Sequence, residues 1–136
     1  MRTIIREGQI GLTPHALIQA DLGIIDGIVH YLGRGVDRHD YDLEVDAGGC
    51  WVLPGGIDPH VHLDGDFGDT VTTDDMGSGT RAAVFGGTTT VMNFIQPRQG
   101  ETLSVLVERW KEKSVSSWAH YGFHIIIPEI NEERDG

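Results

Sequence analysis

The hydrophobic pattern changes period once, near residue 53, and this change limits the fold more than any other feature of the chain. Before it, only short strand-like runs occur, beginning with Thr3-Ile4-Ile5. Apolar runs at 20–25 and 28–32 flank Asp26-Gly27, a dipeptide that favours tight hairpins. Gly33 and Gly35 end the second run, residues 34–42 read as a charged turn, and 43–46 form a further short strand. Helical spacing is absent. Residues 1–52 therefore read as an antiparallel β-domain, or part of one.

After residue 53, strand and helix patterns alternate, which predicts βα units, a parallel sheet and the α/β class. The first strand is expected over 52–63 and a loop over 64–71. Thr72-x-x-Asp75 has the form of a capping box, and Met76, Thr80, Ala83 and Val84 fall on one helical face. Gly77 and Gly79 weaken that helix, and Gly86-Gly87 should end it. Residues 88–95 are rich in β-branched side chains and read as a second strand, closed by Gln96-Pro97. In the next segment Leu103, Leu106, Val107 and Trp110 recur at i, i+3, i+4 and i+7, the spacing of an amphipathic helix. Glu101 lies near its start and Lys111 and Lys113 near its end, as the helix dipole favours. A third strand is expected over 120–127, followed by a polar tail at 129–136.

The stretch that spans the change, Trp-Val-Leu-Pro-Gly-Gly-Ile-Asp-Pro-His-Val-His-Leu-Asp at 51–64, carries the clearest chemistry. His60 and His62 are two residues apart. In a strand both rings point to one face, about 6.6–6.8 Å apart along the chain. Imidazole–zinc bonds are about 2.0–2.1 Å, so two such rings can tilt onto one cation. Asp64 shares that face if the strand continues. Pro54-Gly55-Gly56 allows a sharp turn before the pair, and Pro59 cannot donate to a ladder. Polar ligands at the end of an apolar strand suggest a strand tip in a barrel, where active sites sit. A closed eight-stranded α/β barrel takes about 250 residues, and this chain has 136. It is read as the front part of something longer rather than a small domain of another kind.

The string PGGIDPHVHLD resembles the first barrel strand of the amidohydrolase superfamily, and most closely its cyclic-amidase branch, the dihydropyrimidinases and hydantoinases. FGDTVTTDDMGSGTRAAVFGGTTTVMNFIQP downstream and ADLGIIDGIVHYLG upstream extend the resemblance to about residue 128. It implies an N-terminal β-sandwich portion at 1–52, then the first strands and helices of a truncated (β/α)8 TIM-like barrel at 53–136. It also implies a binuclear Zn2+ site in the full-length protein, with His60 and His62 holding the more buried metal. A carbamylated lysine, two further histidines and an aspartate base would come from later strands. Only the first two ligands have counterparts here, so the catalytic base lies outside this chain and the isolated chain is expected to be inactive.

The activity implied is metal-activated hydrolysis of a cyclic amide, opening hydantoin or dihydropyrimidine rings. Dihydroorotases place an arginine two residues after the second histidine to hold a substrate carboxylate. Asp64 stands there in this chain, which favours a neutral ring. Asp64 is expected at the substrate, as a partner to a ligating histidine or as a solvated loop acid, and Phe67 on the loop that shapes the pocket or against the barrel rim. Strand parity leaves open whether Asn93 or Gln96 faces the pocket. His124 is expected to be a core histidine satisfied by a neighbour. An allantoinase-type hydrolase and a non-catalytic dihydropyrimidinase-like scaffold are the alternative readings. A homo-oligomer, commonly a tetramer among full-length relatives, is the expected assembly.

A formal net charge of −11 argues against nucleic acid and anionic membranes as partners, since both attract basic patches. The single cysteine, Cys50, excludes an internal disulfide and is expected to be a small buried residue. The start MRTIIREGQIGL lacks the apolar core of a secretory signal, and the uncharged run at 82–97 is short for a membrane span. A cytoplasmic protein is the expectation. His15, His30 and His39 have no ligand-like neighbours and read as surface residues.

Overall fold

The computed structural model describes residues 1–13, 15–67 and 69–127, leaving aside the side chains of Arg38 and Phe67. The chain divides into two compact units, Met1–Pro54 and Gly55–Gly136.

The first unit is one five-stranded sheet. Its strands are β1 (Arg2–Thr13), β2 (Ala16–Ile25), β3 (Ile28–Gly33), β4 (Leu43–Asp46) and β5 (Trp51–Val52). The order is β3-β2-β1-β4, with β5 also alongside β1. The β1–β2 and β2–β3 pairs are antiparallel, whereas β4 and β5 run parallel to β1. The sheet is thus mixed rather than wholly antiparallel. The tight turn at 26–27 reverses the chain between β2 and β3, with both Asp26 (φ 49°) and Gly27 (φ 81°) in the left-handed region that primed hairpin turns require. Ile4, Ile10, Ala20 and Ala47 are buried. Buried Asp21 accepts hydrogen bonds from the Glu7 N–H and Arg6 Nη1. Cys50 is exposed rather than buried, in the turn between β4 and β5. His15, His30 and His39 are exposed, as expected.

The expected first strand at 52–63 is two strands, not one. β5 ends at Val52 in the first unit, and β6 (Gly56–Val61) begins the second. Pro54 supplies no N–H at the break. Gly55 follows because a side chain there would collide with Thr89. β7 (Asp66–Phe67) and β8 (Thr70–Val71) form a small hairpin. Then come α1 (Met76–Phe85), β9 (Thr88–Ile95), α2 (Leu103–Lys113) and β10 (His120–Ile125). β9 has the bounds that its β-branched run predicts. β6, β9 and β10 form a parallel sheet in the order β10-β9-β6.

The capping box of α1 forms three residues later than its sequence suggests. Asp75 is the N-cap, and its carboxylate accepts from the Ser78 N–H while Ser78 Oγ accepts from the Asp75 N–H. Thr72 instead closes the β7–β8 hairpin, exchanging bonds with Gly65. Gly86 caps the C-terminus of α1 and Gly87 leaves it at φ 88°.

The two faces of the sheet differ. Along β9, Val91, Asn93 and Ile95 are buried, while Thr90, Met92 and Phe94 alternate with them and are half-buried. Leu106 and Trp110 of α2 pack on Ile95, with Leu103, Phe123 and Ile125 around them. Fully burying an aliphatic side chain of this size contributes about 1.5–3 kcal/mol. The Phe94 face carries the candidate site. No helix among the described residues is long and apolar enough to cross a membrane.

Candidate functional site

β6 runs beside β9 until Asp58 pairs with Val91, and the next pairing is Val61 with Asn93. Three steps on β6 therefore match two on β9, which places a bulge at Pro59-His60. Such bulges bend a strand and re-aim its side chains. Pro59 has no N–H to lose there, and its carbonyl accepts from His124 Nε2 at 3.2 Å. The Asp58 carboxylate accepts from the His60 N–H at 3.1 Å.

The rings of His60 and His62 converge. Their centroids are 5.2 Å apart and their Nε2 atoms 3.2 Å apart. Phe94 lies against both, 4.3 Å from His60 and 5.3 Å from His62 by ring centroids. His124 packs on the same Phe94 ring at 4.7 Å. It is exposed, so the expectation of a core histidine fails, although a neighbour's carbonyl does satisfy it. Both members of the pair are exposed. Among the described residues no set of three or more His, Cys, Asp or Glu side chains is placed to hold a metal ion. Two nitrogens at this separation can share a proton or grip one side of a cation.

The backbone beyond the pair is held at consecutive residues. Asn93, 0% exposed, accepts from the Leu63 N–H at 2.8 Å and donates to the Leu63 carbonyl at 3.0 Å. It faces the helices, so it is Gln96 and not Asn93 that reaches the cavity beside the pair. The Asp64 N–H donates to the Asp74 carbonyl, and Asp64 takes φ 51°. Lys113, from the end of α2, contacts Asp64 twice: Nζ lies 3.1 Å from the carboxylate and donates to the carbonyl at 3.0 Å. It also sits 4.8 Å over the Trp110 ring. The Asp64 carboxylate thus faces a lysine, not a histidine. Phe67 follows in β7, and its side chain lies outside the described part of the structure.

A cavity of about 110 Å³ adjoins His62, bounded by Asp66, Phe94, Gln96, Arg109 and Trp110 among others. Its Arg109 is held in a two-pronged pair with Glu101: Nε to Oε1 and Nη2 to Oε2 are both 2.8 Å. That guanidinium brings the Glu101 carboxyl down to about 2. Glu101 in turn strengthens the hold of Arg109 on its proton.

The fixing contacts of Lys113, Asn93 and Phe94 escape sequence reasoning. Lys113 lies 49 residues from Asp64, and no local pattern joins them. An asparagine inside the β-branched run 88–95 was the one available signal, because a polar residue in such a strand needs a partner.

A parallel βαβαβ sheet with a histidine pair at the tip of its first strand is the arrangement that the sequence resemblance to the amidohydrolases implies. Relatives narrow the likeness to the hydantoinase and dihydropyrimidinase branch, whose members match this chain over nearly its whole length. It is 46% identical to a D-hydantoinase of Geobacillus stearothermophilus over 134 residues, covering 98% of this chain and 28% of that protein. It is 38% identical to dihydropyrimidinase 2 of Caenorhabditis briggsae, covering 98% of this chain and 26% of the relative. Among solved structures, a D-hydantoinase superposes with a TM-score of 0.89 at 43% identity, over 98% of this chain and 29% of the other. The dihydropyrimidinase of Brevibacillus agri NCHU1002 gives 0.89 at 40% identity, with the same coverage. No protein-family profile matches. The chain spans little more than a quarter of the length of these relatives.

Proposed function

We propose that this chain supplies the first metal-holding strand of a cyclic-amide hydrolase acting on hydantoin or dihydropyrimidine rings. In this reading, residues 1–52 are the N-terminal portion of a β-sandwich and 53–136 the first βα units of a barrel. His60 and His62 hold one zinc of a binuclear site, and the remaining ligands and the base come from elsewhere in a longer protein. The observation that carries this is the 3.2 Å separation of the two Nε2 atoms. With Zn–N bonds of about 2.05 Å, that separation subtends about 103° at the ion, close to a tetrahedral angle.

A zinc held there would lower the pKa of bound water towards neutrality and polarise the amide carbonyl. The chain's own residues do the positioning. Phe94 backs both rings, Asp58 fixes the His60 backbone, and Lys113 holds the loop that follows. Of the two residues proposed near the substrate, Phe67 lies on the hairpin after the pair. Asp64 gives that loop its turn while its charge is balanced by Lys113. That balance removes an objection to a neutral ring nearby and offers no cation to an anionic one. We further propose a homo-oligomeric, cytoplasmic full-length enzyme with Asp64 and Phe67 at the pocket rim.

Metal content and hydrolysis of hydantoin and dihydrouracil, measured on the 136-residue chain and on any longer product of the same gene, test this. About two metals and ring opening are expected in the longer form, and one weakly held zinc without ring opening in the 136-residue chain. A longer form that carries the later ligands, yet holds no metal and opens neither ring, would overturn the reading.

A further inference from the structure

We propose that Asn93 is a positioning residue that sets His62 against His60 by standing in for the β-ladder where the ladder ends. This rests on the reading of the pair as metal ligands, but its geometry is separate from it. The last backbone register between β6 and β9 is Val61 with Asn93. Two residues later, Leu63 finds both its partners in one side chain: Asn93 Oδ1 accepts its N–H, and Nδ2 donates to its carbonyl. The amide does what the next rung of a strand would do. Its Nδ2 also lies 3.8 Å from Met76 Sδ, so it is held from the helix side as well.

The consequence for His62 follows from alternation. Asn93 holds the Leu63 backbone on the buried side, and the Leu63 side chain fills the space over Gly79 of α1. With Leu63 turned to the helices, its predecessor turns to the Phe94 face, where His60 already points. The bulge at 59–60 makes this clamp necessary. It interrupts the ladder at His60, and beyond Asp58 backbone pairing fixes the strand only at Val61. A buried amide is costly in a strand core unless its polar atoms are engaged, and those of Asn93 are. Its bonds go to the one residue between His62 and Asp64.

The test compares the wild-type chain with Asn93→Leu, Asn93→Asp and the control Leu106→Ala. Leu106→Ala weakens the same unit by removing packing far from the pair in sequence. Two readouts are taken below the melting temperature of every variant. One is the ring-to-ring contact of His60 and His62 by NMR in metal-free protein. The other is the affinity for added Zn2+. Asn93→Leu is expected to lose the ring contact and bind zinc at least about tenfold more weakly. Asn93→Asp, which keeps an acceptor for Leu63 N–H, should fall between, and Leu106→Ala should keep both. A preserved ring contact in Asn93→Leu, or equal losses in Leu106→Ala, overturns the proposal. Should Asn93→Leu fail to fold, Asn93→Asp is judged by the same two results. A wild-type chain that shows the ring contact and binds no zinc sinks the metal reading alone, and the ring contact then decides the role of Asn93.

Discussion

Replacing Glu101 with glutamine removes the charge that Arg109 is built to meet, and the structure sets the size of the effect. Two 2.8 Å contacts join the pair, and the Arg98 N–H adds a third bond to Oε2 at 2.9 Å. The side chains of Arg109 and Glu101 are 19% and 9% exposed. The carboxyl titrates near 2 in the folded chain, against an ordinary 4.5. Each pKa unit corresponds to about 1.4 kcal/mol, which sets a ceiling near 3 kcal/mol. Solvent at the rim of the pair reduces this to about 1–2 kcal/mol. A depressed carboxyl stabilises above its unfolded pKa and loses that contribution as pH falls. The gap between wild type and Glu101→Gln should therefore be full at neutral pH and shrink between about pH 4.5 and 2. Urea unfolding followed by tryptophan fluorescence, at a series of pH values from 7 to 2.5, measures it. A gap that stays flat across that range, or widens in acid, would refute the reasoning.

Other substitutions read the packing and the loop. Leu106→Ala should cost about 2–5 kcal/mol in urea unfolding of the second unit, since Leu106 is fully buried against Ile95 and Trp110. Gly87→Ala places a side chain at φ 88° and should cost about 1–2 kcal/mol in the same assay. Gly79→Ala drives a methyl into Leu63. It should disturb the His60 and His62 ring signals in NMR spectra while leaving those of His15, His30 and His39 in place.

Where the sequence carried a strong period, its elements appear as read. The β-branched run made β9, and Leu103, Leu106, Val107 and Trp110 made the packed face of α2. The glycine pair ended α1. Competition between equivalent local signals produced the misses. Thr72 and Asp75 both suit an N-cap, and the Thr72 hydroxyl is used by Gly65, so Asp75 caps. Pro54-Gly55 reads equally well as a kink within one strand or as a break between two, and the collision of a side chain with Thr89 is invisible without β9 in place. The parallel pairing of β4 and β5 with β1 likewise depends on contacts distant in sequence. At the site, period-two spacing brought the two histidines to one face. The bulge at 59–60, the Asn93 clamp and the Lys113 tether depend on partners 30 to 49 residues away, which no local pattern encodes.

The central claim is that His60 and His62 act together on one cation. Zinc binding by the wild-type chain, His60→Ala, His62→Ala and the surface control His30→Ala, measured by equilibrium dialysis, tests it most directly. Binding that disappears in each single pair variant and survives in His30→Ala is the predicted result. Zinc retained by both His60→Ala and His62→Ala would contradict it.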